Sequence, residues 1–200
     1  MEREMSSRKV ERALFFGLVA NGIFFCIEVV GGVLSNSTAV LSDALHDFTD
    51  IIALLFSWGV EKLDRGKRPA VMNKVRLATA LVNALVLGAG SLYLVFEALV
   101  RLQHPEPILS PLVIGLSILG IFFNGFIFFR LRDPSKKNMN VRVILFHYLE
   151  DVCGWVTILA GAIIMTFTGL LWVDSIITIG YSLFILFHAF SFVKQTLREM

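Results

Sequence analysis

The sequence predicts an all-α fold, a six-helix transmembrane bundle with both termini cytoplasmic, on three observations. Of its 200 residues 56% are hydrophobic and only 17% charged, and the mean hydropathy is +0.74, more apolar than a soluble domain of this size needs to be. Six stretches stay apolar for about 18 residues or more, enough for a helix to cross a bilayer. Lys and Arg gather at the chain ends and on alternate connections, the pattern that the positive-inside rule gives an even number of spans.

The first span, 13–34, follows a head carrying Arg3, Arg8, Lys9 and Arg12, too charged for the apolar core of a signal peptide. It holds Asn21 and Glu28, a heptad apart on one face. The second span, 39–60, comes after a connection of a few residues, so the two helices should pack antiparallel. Here Asn36-Ser37-Thr38 matches a glycosylation sequon, a match read as chance in so short a connection. Lys62, Arg65, Lys67, Arg68, Lys74 and Arg76 separate it from the third span, 77–100, which holds Asn83. Of all the Lys and Arg residues, Arg101 alone falls on the other side. The fourth span, 108–129, presents Gly120 and Asn124, and Arg130, Arg132, Lys136, Lys137 and Arg142 frame the connection to the fifth, 141–167. The sixth, 171–193, is followed by Lys194 and Arg198.

Gly31, Gly32, Gly88, Gly90, Gly120, Gly154 and Gly161 are expected to let helices approach closely. Trp58, Tyr93 and Trp172 mark span ends, whereas Trp155 lies deep and reads as a packing residue. Cys26 and Cys153 both fall inside spans, which leaves neither a disulfide framework nor a C-x-x-C metal motif. One transmembrane domain over residues 1–200, with no C-terminal cytosolic domain, is the expected organisation. The net charge of +2 then reports topology and gives no reason to expect a nucleic-acid partner.

Two pairs stand out inside these apolar stretches: His46 with Asp50, and His147 with Asp151. A spacing of four puts both side chains of a pair on one helix face. The second span enters from outside and the fifth from inside, so a rise of 1.5 Å per residue sets Asp50 about 16 Å and Asp151 about 15 Å deep. Both depths approach the middle of a hydrocarbon core about 30 Å thick. Buried carboxylates are costly unless protonated or paired, and helix-joining hydrogen bonds would not call for two matched pairs on different helices. Two imidazoles and two carboxylates suit a tetrahedral divalent metal, zinc first.

Asp43 shares the face of His46, where it either lines an ion pathway or favours the positive end of its helix. Asp47 points about 100° from His46 and Glu150 about 60° from His147, placed to tune the charge of the site or to pair with a neighbouring helix. Asn21, Asn83 and Asn124 read as interhelical hydrogen-bonding groups, and His104 and His188 as structural or solvated.

These residues resemble a known family. The stretch Gly31-Gly32-Val33-Leu34-Ser35-Asn36-Ser37 through Leu41-Ser42-Asp43-Ala44-Leu45-His46-Asp47-Phe48-Thr49-Asp50 is similar to the signature of cation diffusion facilitators, six-span zinc exporters. Matches continue in order at Arg76, at Leu81-Val82-Asn83-Ala84, at Gly120 and Asn124, through the run from Asn140 to Asp151, and at Asp174. The resemblance implies that His46, Asp50, His147 and Asp151 form the transport site. It also implies exchange of a cytosolic divalent cation for protons by alternating access, with zinc preference from His at the first position. Zinc is then substrate, no cofactor is required, and the bilayer, the cation and protons are the partners. Most members carry a cytosolic C-terminal domain that supports a homodimer, and this sequence ends without it; Asp47 and Glu150 also add carboxylates beside the motifs. The expectation is a transporter and not an enzyme. A membrane metalloenzyme or a non-transporting metal-sensing subunit, built on the same four residues, is the alternative reading.

Overall fold

In the computed structural model the backbone is described for residues 2–63, 69–135 and 139–198, with side chains mainly in 18–52, 81–130 and 145–191. Trp58, Asn83 and His188, and the basic residues other than Arg101, Arg130, Arg132 and Lys194, lie outside the described side chains. Six helices and no strands make up the described chain: α1 (Glu2–Ser35), α2 (Thr38–Leu63), α3 (Pro69–Gln103), α4 (Ser110–Ser135), α5 (Met139–Thr168) and α6 (Trp172–Arg198). Each overlaps one of the expected spans, and α4 and α6 begin just after the expected starts at 108 and 171.

Local chemistry explains the ends. Asn36 adopts φ 57°, the left-handed conformation that Asn tolerates better than most residues. Around it the Asn36 and Ser37 amides donate to the carbonyls of Val33 and Gly32 at 3.3 and 3.1 Å, a Schellman closure of α1. Ser37 then caps α2, its Oγ accepting from the Val40 amide at 3.3 Å. At the end of α5, Gly169 at φ 70° returns its amide to the Met165 carbonyl at 2.9 Å. Pro69 opens α3, where a missing N–H costs nothing.

Among the described residues, four helical stretches are long and apolar enough to cross a membrane: Ala84–Gln103, Ser110–Arg130, His147–Thr168 and Trp172–Ser191. Large apolar side chains on them face outward, among them Phe122 at 73% and Phe167 at 85% exposure, as lipid-facing surfaces should. In α1 the apolar stretch among the described residues is Asn21–Ser35, and α2 carries Asp43, Asp47 and Asp50 within its span. Cys26 and Cys153 are free and exposed.

The chain divides into two compact units. The first comprises Met1–Ile27, Ala44–Tyr93 and Ser182–Met200. In it Phe24, Ala44, Thr49, Ile185 and Ala189 are buried, Phe25 stacks on Phe48 with centroids 5.4 Å apart, and Gly90 lies against Leu45. The second comprises Glu28–Asp43 and Leu94–Tyr181, and its core is Trp155, Val113, Leu116, Ile158, Ala162 and Met165.

Glycine spacing is explained by what each residue meets. A Cβ on Gly31 would strike Leu116, on Gly32 Leu41, on Gly120 the Trp155 indole and on Gly161 Ile177, so these four are close approaches within the second unit. Gly88, expected to play the same part, faces open space, because a helical glycine pattern does not reveal which face meets a neighbour. Gly120→Ala is expected to cost about 1–3 kcal/mol of stability, since a Cβ would sit 2.4 Å from a rigid buried ring. Gly115→Ala, with nothing within 4 Å, should be neutral or slightly stabilising. Unfolding midpoints of the two variants in detergent provide the check.

Candidate metal centre

The helix that carries His46 and Asp50 is anchored at its N-terminus by buried polar chemistry within the second unit. Asp174, on the first turn of α6, accepts from Ser37 Oγ at 2.5 Å, from the Thr38 amide at 2.8 Å and Oγ1 at 2.9 Å, and from the Ala39 amide at 3.3 Å. A carboxylate there satisfies amides that lack partners inside α2 and meets the positive end of the helix dipole. One turn further along α6, Thr178 Oγ1 lies 2.8 Å from Thr38 Oγ1. A turn beyond that, Tyr181 donates its hydroxyl to Asp43 Oδ1 at 2.7 Å. Positions 174, 178 and 181 share one face of α6, which forms a polar rail along the first turns of α2.

Asn36 is tied down from another direction. Arg101 donates to the Asn36 carbonyl at 2.8 Å and its Oδ1 at 3.0 Å, and pairs with Glu97 at 2.9 Å and Glu106 at 3.3 Å. The Asn36 amide donates in turn to Glu106 Oε2 at 2.9 Å and the Pro107 carbonyl at 3.1 Å. The Asn36 side chain of the sequon is thus engaged in internal bonds.

His46 and Asp50 lie in the first unit, half-buried, with Nε2 and Oδ2 3.5 Å apart. Thr49 Oγ1 donates to the His46 carbonyl at 2.7 Å between them. His147 and Asp151 lie in the second unit with Nε2 and Oδ2 3.6 Å apart, the carboxylate nearly buried and the imidazole a quarter exposed. Both separations exceed the usual N–H···O hydrogen bond. Two ligand atoms at zinc distances in a tetrahedron stand about 3.3–3.4 Å apart. Each pair stands slightly beyond that edge length, and the same spacing of four produces the separation twice.

Asp43 sits with Tyr181 in the second unit at 1% exposure, on the face of α2 that three residues later carries His46. Asp47 is buried at 7% exposure, and Glu150 is half-buried on α5. His104 is exposed, as expected of a solvated residue. The Asn124 side-chain amide donates back to the Gly120 carbonyl at 3.2 Å, within its own helix. Glu28 is fully buried and Asn21 nearly so. Sequence reasoning named Asp174 only through the family match and missed Tyr181 and the Arg101 knot. Ser37 and Thr38 before an apolar helix were a legible capping signal, but their acceptor lies 136 residues away.

Helices long and apolar enough to span a bilayer, two of which carry a His-Asp pair, define an integral membrane protein. Residues 14–200 match the cation efflux transmembrane domain. The chain belongs to that family, and it is an integral membrane protein. The metal cation efflux system protein CzcD of Cupriavidus metallidurans is 34% identical over 196 residues, 95% of this chain and 61% of that protein. The zinc transporter ZitB of Escherichia coli strain K12 is 35% identical over 191 residues, 92% of this chain and 60% of that one. A cadmium, cobalt and zinc/H(+)-K(+) antiporter of Bacillus subtilis is 28% identical over 181 residues, covering 87% and 58% respectively. The chain spans about three fifths of the length of these curated relatives.

Proposed function

We propose that this chain forms the membrane domain of a secondary transporter that exports a divalent metal cation, zinc first, in exchange for protons by alternating access. Its six helices cross the membrane with both termini in the cytosol, and a homodimer is part of the same proposal. His46, Asp50, His147 and Asp151 bind the ion together, while Asp43, Asp47 and Glu150 line its path or tune its charge. The observation that carries this reading is the repeated pair geometry, 3.5 and 3.6 Å between imidazole nitrogen and carboxylate oxygen on two different helices. The relatives' names, which speak of metal cation efflux, zinc transport and antiport with H(+) and K(+), support the same substrate class.

Proton exchange follows from the ligands. Metal binding needs neutral imidazole and ionised carboxylate, so loading an ion releases protons and a returning proton helps to expel it. The role is transport, with the ion as cargo. Purified protein in sealed vesicles tests it. A proton gradient, acidic on the face opposite zinc entry, should accelerate zinc movement, and a protonophore should abolish that acceleration. Zinc flux indifferent to the gradient would leave a passive facilitator, and no zinc flux at all would overturn transport.

A further inference from the structure

We propose that Tyr181 is a positioning residue for metal binding, acting through Asp43 to fix the rotation of α2. The inference rests on the four-residue transport site proposed above. Tyr181 carries no ligand itself, yet its hydroxyl donates at 2.7 Å to a carboxylate that is 1% exposed. Asp43 precedes His46 by three residues, one turn along the same face of one continuous helix. The bond is also seated against the helix of the second pair. Gly154 follows Asp151 by three residues on α5, and a Cβ there would lie 3.4 Å from Tyr181 Oη and Cε2 and 3.6 Å from Asp43 Oδ1.

Geometry gives this bond a task that the Asp174 contacts do not perform. Those contacts hold residues 37–39 at the very end of α2. Farther along, α2 packs Leu41 on Gly32, Leu45 on Gly90 and Phe48 on Phe25, apolar contacts that are less directional than a hydrogen bond and restrain rotation less sharply. The Asp43 bond lies about 7 Å from that end and fixes that rotation. A rotation of about 10° moves an atom at the helix's outer radius of about 5–6 Å by about 1 Å. Zinc coordination tolerates about 0.2 Å. A slack α2 would therefore present His46 and Asp50 out of range, without any change in the ligands themselves.

The test uses the full chain, with zinc binding measured by calorimetry and zinc uptake measured in vesicles. Tyr181→Phe keeps the ring and removes the hydroxyl, and it should raise both the zinc Kd and the uptake KM about tenfold, as loss of an orienting partner does. The maximal rate at saturating zinc should stay close to the parent. Asp43→Asn retains a carbonyl acceptor for the tyrosine and should lose less zinc affinity than Asp43→Ala. Asp43→Ala should reproduce the Tyr181→Phe defect, and the double variant Tyr181→Phe/Asp43→Ala should be no worse than either alone. Parent-like affinity in Tyr181→Phe, a lowered midpoint with unchanged KM, or Asp43→Asn as damaging as Asp43→Ala would each overturn the proposal. Asp151→Ala in the same assays separates the two readings. If it retains zinc uptake, the transport site itself is wrong; if it loses uptake while Tyr181→Phe behaves as the parent, only the positioning role fails.

Discussion

Zinc uptake into sealed vesicles should fall about 100-fold or more when His46, Asp50, His147 or Asp151 is replaced singly by Ala. Partners that merely orient metal ligands are worth about 10–100-fold in affinity, and each of these residues would be a ligand. Removing one leaves three donors and an open position, which suits a catalytic zinc better than a transported one. The proteins should remain folded and inserted, because the second unit's core of Trp155, Val113, Ile158 and Met165 does not include these side chains. His104→Ala, at an exposed position outside the spans, serves as the control and should transport normally. Near-normal uptake by Asp151→Ala would remove the His-Asp pairs from the mechanism.

The second large effect is on stability and falls on a residue outside both pairs. Asp174→Ala is expected to cost about 3–5 kcal/mol, because it strips acceptors from buried donors on Ser37, Thr38 and Ala39. Asp174→Asn keeps one acceptor oxygen and should lose less. Unfolding of purified protein in mixed micelles measures the difference. A loss below about 1 kcal/mol for the Ala variant would mean that water or lipid headgroups replace the carboxylate without difficulty.

The existence and type of all six helices were legible because a bilayer demands long apolar runs, and such runs are plain in this chain. Helix ends were less so. The expected third span begins at residue 77 while α3 begins at Pro69, since hydropathy reports the crossing and not the helical turns that extend beyond it. The His-Asp pairs were visible because ionisable groups contrast with apolar surroundings and because four residues make one helical step. Trp155 was rightly read as a packing residue, being fully buried against Gly120. Gly88 was misread, since its partner would have been on another helix. The Tyr181–Asp43 bond joins residues 138 positions apart, and no local pattern announces such a partner.

The contact between Asp174 and the start of α2 also bears on the order in which the molecule can be completed. Synthesis proceeds from the N-terminal side, and 136 residues separate Thr38 from its acceptor. At about 5–20 residues per second, roughly 7–30 seconds pass between making the first corner and making the group that seals it. Throughout that interval the amides of Thr38 and Ala39 and the hydroxyl of Ser37 must find water or lipid headgroups at the membrane surface. Helix α6 is thus the one that finishes the α1–α2 hairpin, and a nascent chain arrested before α6 holds that corner unsealed.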